Sequence, residues 1–66
     1  MTRLESRMKD AMEGNEREVI ETYNREIQAE RDRKRHSKNG FIRLCCDQQI
    51  ERLVAEKNKI DEAVFG

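Results

Sequence analysis

The side chains with the most chemistry to offer lie close together: His36, Ser37 and the adjacent pair Cys45-Cys46. A lone histidine can titrate near neutrality. Nucleophilic catalysis needs a base within reach of a nucleophile and a third group to orient it, and no such spacing accompanies His36. Neighbours on a helix point about 100° apart, so Cys45 and Cys46 do not easily ligate one ion, and His36/Cys45/Cys46 lacks a fourth ligand. Adjacency also disfavours an intrachain disulfide, which suits a reducing, cytoplasmic setting. Cys46 reads as a small core residue, Cys45 as its flank, and Ser37 as a helix-end hydrogen bonder. No metal, cofactor or catalytic residue is expected. Thin helices offer no preorganised, water-poor pocket, so the chain is read as non-enzymatic.

Charge offers a different chemistry. The 66 residues carry 14 cations and 14 carboxylates, unevenly spread. Residues 1–30 hold five basic and eight acidic side chains, residues 31–43 six and one, and residues 44–66 three and five. Arg31, Arg33, Lys34, Arg35, Lys38 and Arg43 therefore form a basic corner that could meet phosphate, a membrane surface or an acidic protein partner. Phosphate contact would be salt-sensitive and blind to sequence. A helix-turn-helix reading would present Arg43, Gln48, Gln49 and Arg52 to base edges, but residues 41–52 also supply a hydrophobic seam. Phe41 is the one aromatic near the corner, which gives little support to a stacking platform for single strands.

These side chains must be held by helices. Pro is absent and Glu, Arg and Lys abound, a composition that favours helix. Thr2-Arg3-Leu4-Glu5 fits a capping box. Leu4, Met8, Ala11 and Met12 recur at helical spacing, and Val19, Ile20, Tyr23 and Ile27 continue the stripe. Ser37-Lys38-Asn39-Gly40 is the place to reverse, since Asn and Gly accept the positive φ that closes a helix. In the second arm Ile42, Cys46, Ile50, Leu53, Ile60 and Val64 share a face. From Cys46 they follow heptad spacing, with Lys57 in one seam position. Phe41, Leu44 and Val54 fall off this stripe, and Phe65 lies at a fraying end where burial needs a partner.

Gly14 leaves two outcomes open. It can be the left-handed end of a first helix, with Asn15 capping the next through Asn15-Glu16-Arg17-Glu18. Alternatively the helix continues, supported by Glu5/Lys9, Glu13/Arg17, Glu21/Arg25 and Glu30/Lys34 pairs four residues apart. Each such pair contributes roughly 0.2–0.5 kcal/mol, whereas a mid-helix Gly costs about 0.5–1 kcal/mol. Local energies do not separate the two, and a continuous or slightly kinked helix is the preferred expectation.

The expected fold is all-α and a single domain over residues 1–66: an antiparallel helical hairpin with a long helix at about 2–37, a turn at 38–40 and a second helix at about 41–64. A break at Gly14 would make three helices. A rise of 1.5 Å per residue gives arms of roughly 54 and 36 Å, so the second arm ends level with Gly14. Residues 2–13 then either fold back or project and dock on another chain. A chain this short and charged has little core of its own, which points to a homodimer, as a coiled coil or a four-helix bundle. Val19, Tyr23, Ile27, Ile42, Cys46, Ile50, Leu53, Ile60 and Val64 are its expected hairpin or dimer core. Leu4, Met8 and Met12 are the expected partner-binding residues. The function read from this is a small protein-binding regulator, inhibitor or assembly subunit acting through helix–helix contacts. The alternatives are a nucleic-acid-binding dimer that uses residues 31–43, and a structural coiled-coil subunit. No apolar run reaches the seven residues of even a short leader core, so neither secretory leader nor membrane span is expected.

Overall fold

Two apolar stripes build a hairpin. In the computed structural model, which describes residues 2–66, helices α2 (Glu16–His36) and α3 (Gly40–Phe65) run antiparallel. Along α2, Val19, Tyr23 and Ile27 recur every four residues; along α3, Cys46, Leu53 and Ile60 recur every seven. All six are buried. Ile50 and Val64 are half-buried against this core, and Ile42 is half-buried near the turn. Fully burying a Leu or Ile side chain contributes about 1.5–3 kcal/mol. Tyr23, Leu53 and Ile60 therefore outweigh any surface ion pair in choosing which faces meet.

Polar contacts set the register. Lys34 Nζ meets Asp47 Oδ1 at 2.6 Å near the turn. Further along, the Tyr23 hydroxyl donates to Glu56 Oε1 at 3.2 Å, and Lys57 Nζ donates to Asn24 Oδ1 at 2.9 Å. Lys57 thus keeps its seam position by placing its ammonium on Asn24 at the seam's edge. The same register brings the end of α3 level with the start of α2.

The first arm is not straight. Helical bonding runs on from α1 (Arg3–Asp10) into α2, but Ala11–Asn15 forms a wider, π-type turn in which Gly14 has φ 106° and ψ 4°. This left-handed glycine is the kind that ends a helix. A straight helix from residue 3 to 36 would reach roughly 51 Å, yet the longest dimension of the molecule is 41 Å. The preferred expectation, a continuous or slightly kinked first helix, holds in its kinked form: helical bonding runs from Arg3 to His36, and the bend at Gly14 is sharper than a slight kink. The balance that local energies left even is tipped by burial: Ala11 is buried, and Leu4 and Met8 pack against the core. Asn15 makes no side-chain cap, so the bend rests on backbone geometry: the left-handed Gly14 followed by Asn15 at φ −100°, ψ 23°.

The expected surface pairs change with it. None of the four pairs expected four residues apart forms among the described residues; Arg17 turns to Glu21 instead, and Lys34 to Asp47. Gly14 separates Glu13 from Arg17, and Asp47 gives Lys34 a partner across the helices. At the start of α1 the capping box is half made. Thr2 Oγ1 accepts the Glu5 N–H at 3.2 Å, while its hydroxyl donates to Glu5 Oε1 at 3.2 Å.

The corner also differs from its expectation. Ser37 (φ −90°, ψ 134°) and Asn39 (φ −86°, ψ 119°) are extended, and neither Asn39 nor Gly40 has a positive φ. Asn39 starts α3 rather than ending α2: its Oδ1 accepts the N–H groups of Phe41 at 2.8 Å and Ile42 at 3.4 Å. An extended link leaves Asn39 free to satisfy donors that an N-terminus would otherwise leave bare.

Candidate interaction surfaces

The fold sorts the expected contact residues into three places. The first is α1. Leu4 and Met8 lie on the hairpin rather than beyond it, while Met12 in the turn is 66% exposed. Of the two outcomes foreseen for residues 2–13, the chain takes the fold-back. An apolar stripe in water gains more by covering its own core than by projecting. Arginines fasten it there. Arg7 grips Glu26 with both nitrogens, at 2.7 and 3.1 Å, and its guanidinium lies 4.5 Å from the Tyr23 ring centre. Arg3 reaches Glu56 at 3.4 Å. The Arg7 bonds hold the Glu26 carboxyl below the usual range, while burial pushes the Tyr23 hydroxyl up. No sequence signal pointed to this cluster, because Arg7 and Glu26 are 19 residues apart and Tyr23 and Glu56 are 33.

The basic corner is the second place. Arg31, Lys34, Arg35 and Arg43 line an open cleft of about 390 Å³ between α2 and α3, together with Asp47 and Ile50. Lys34 is held by Asp47, and Arg35 by Asp32 at 3.4 Å, while Arg33 approaches Glu30 at 4.0 Å. Arg31, Lys38 and Arg43 make no ion pair among the described residues. On the outer side of α3, Phe41 is 72% and Leu44 53% exposed, and Cys45 is exposed beside them. Residues three and four apart on a helix are neighbours, so these three form one apolar patch; Lys38 and Arg43 are close to it in sequence, while Arg31 lies in the cleft level with Ile50.

At the opposite end lies the third place, where α3 stops beside the Gly14 turn. Phe65 is 71% exposed and, with Ile20, Glu16, Arg17, Glu21 and Asp61, borders an open cleft of about 410 Å³ whose lining is mainly apolar.

The remaining reactive groups are occupied or set apart. His36 Nδ1 donates to the Asp32 carbonyl at 2.7 Å, and Ser37 Oγ accepts the Asn39 N–H at 3.2 Å, so both finish the helix end. Cys46 is buried, which pushes its thiol up, whereas Cys45 is open to solvent. Among the described residues no three His, Cys, Asp or Glu side chains are grouped to hold a metal ion, and no helix is long and apolar enough to cross a membrane. Comparison of the chain with protein-family models, curated proteins and solved structures finds no match.

Proposed function

We propose that this chain is a non-enzymatic binding module that engages a protein partner through its basic corner, with Phe41 and Leu44 as apolar anchors. The observation that carries this is the pairing of an exposed aromatic and leucine with cations that make no ion pair among the described residues. Leaving such a patch bare wastes apolar surface, and covering it contributes in proportion to the area removed from water. Arg31, Lys38 and Arg43 would steer an acidic partner and set its register more than they would add affinity. The fitting partner presents an apolar side chain or groove framed by carboxylates.

This reading moves the contact from Leu4 and Met8, which are spent on the core, to the other end of the molecule. It also bears on the dimer expected from the sequence. The heptad seam of α3 is already packed within the chain, so an association that used it would have to open the hairpin.

A synthetic helical peptide with a leucine stripe flanked by glutamates is a direct probe. The chain should bind it, binding should weaken as salt rises, and Phe41→Asp with Leu44→Glu should weaken it at least about tenfold, the equivalent of 1.4 kcal/mol. Undiminished binding by that double variant would refute the assignment.

The cleft lined by Arg31, Lys34, Arg35 and Arg43 favours a second reading, contact with nucleic-acid phosphates. Binding to DNA or RNA should then fall by orders of magnitude across moderate salt, with little dependence on sequence. Absence of binding at low salt removes this reading.

A further inference from the structure

We propose that the partner of the basic corner is the opposite pole of a second copy of this chain, so that copies associate head to tail. This rests on the reading above that the corner binds protein, and it names the occupant.

The argument begins with how charge is distributed along the molecule. The hairpin register, marked by Lys34–Asp47 near the turn and Asn24–Lys57 further along, delimits the two ends. The corner end, residues 31–49, holds six cations and two carboxylates. The far end, residues 9–24 and 56–66, holds eight carboxylates and four cations. A chain of zero net charge is thus a body 41 Å long with net +4 at one end and −4 at the other. Unlike ends attract and steer one another, while two like ends brought together repel.

Apolar surface follows the same division. The corner offers Phe41 and Leu44 near Lys38 and Arg43, with Arg31 in the cleft between α2 and α3, and none of the three cations is in an ion pair among the described residues. The far end offers Phe65 and Ile20 around an apolar cleft whose rim carries Glu16 and Asp61, neither in an ion pair among the described residues, and Arg17, whose charge Glu21 meets at 3.4 Å. That is the chemistry required of the corner's partner: an apolar receptacle framed by carboxylates. Each pole supplies what the other lacks, and neither is complementary to itself. The contact is therefore heterologous, and repetition along the long axis gives a ring or an open filament rather than a two-fold dimer.

Two half-blocked variants test this. The corner-blocked chain carries Phe41→Asp and Leu44→Glu; the pole-blocked chain carries Phe65→Lys and Glu21→Lys. The wild-type chain should show a mass by sedimentation that climbs with concentration. It should fall back as salt is raised from about 0.01 to about 1 M, which shrinks the Debye length from about 30 to about 3 Å. Each blocked variant alone should be monomeric, and an equimolar mixture should form a dimer that grows no further. Association of the pole-blocked chain by itself, or a mixture that stays monomeric, would overturn the proposal. So would a wild-type chain that is monomeric at low salt. In that last case the acidic peptide separates the two claims. If it still binds wild type and not the corner-blocked chain, only self-association falls; if it fails to bind, the corner reading falls too. The blocking substitutions lie on exposed side chains, and circular dichroism checks their helicity. Should Glu21→Lys disturb the fold, Phe65→Lys alone must still weaken assembly or the proposal fails.

Discussion

Replacing Gly14 tests the feature on which the tertiary arrangement turns. With φ at 106°, an L-residue there meets its own carbonyl, a cost of about 1–2 kcal/mol. An added Cβ would find no heavy atom within 4 Å, so the penalty is purely conformational. The chain's escape would be to straighten residues 11–15 and undock α1. That route re-exposes Ala11, Leu4 and Met8, roughly 2–4 kcal/mol taking full burial for the first and half for the others. It also breaks the Arg7–Glu26 and Arg3–Glu56 contacts. Straightening therefore costs more than the strain, so Gly14→Ala should keep the bend and lose about 1–2 kcal/mol. At the 4–8 °C per kcal/mol typical of a domain this size, Tm should drop by about 4–16 °C. Urea and thermal unfolding followed by circular dichroism, at high salt to suppress association, would measure it. Chemical synthesis allows the converse. D-alanine prefers positive φ and restricts the unfolded chain, so it should raise stability by about 0.4–1 kcal/mol. The opposite signs are the diagnostic. If L-alanine matches or exceeds wild type, the backbone at Gly14 is an ordinary helix and the account of the bend is wrong.

Other expectations follow from the clamp on α1 and from the cysteines. Because Arg7 lowers the Glu26 carboxyl below the usual value of about 4.3, the unfolded chain takes up that proton first as pH falls. Its contribution is complete above the ordinary value and disappears as pH drops through the lower folded one. Glu26→Gln should cost roughly 1 kcal/mol at neutral pH, a figure discounted for the solvent that reaches this pair, and its gap from wild type should narrow as pH falls below the ordinary carboxylate range; urea melts across that range decide, and a pH-independent gap would contradict the assignment. A thiol-reactive dye should modify Cys45 quickly and Cys46 only as the fold opens, since a buried, raised thiol offers little thiolate. Two equally fast thiols by mass spectrometry would mean that the α2–α3 interface is looser than described.

How far the sequence could be read depends on the range of the forces involved. Helical content and the buried faces of α2 and α3 were legible, because the spacing of Val19, Tyr23, Ile27, Cys46, Leu53 and Ile60 is a local pattern that any helix must present on one side. The reversal at residues 37–40 was legible as a place, but not in its mechanism. Asn39 suits a left-handed helix end and an N-cap about equally, and only the direction of α3 selected the second. The exposure of Phe41 and Leu44 had a signal, since both fall off the seam. The clamp of Arg7, Glu26, Tyr23, Glu56 and Arg3 had none.

By itself, then, the sequence determined two amphipathic helical stretches, a corner dense in cations, and a weak point at Gly14 where the competing local terms differ by less than about 1 kcal/mol. The tertiary structure decided the bend at that weak point. It also sent Lys34 to Asp47 and left apolar side chains bare at two oppositely charged ends. The physical reason is the same throughout. Terms too small to choose between backbone paths are overruled by burying Ala11, Leu4 and Met8 on a core that exists only once the helices have met.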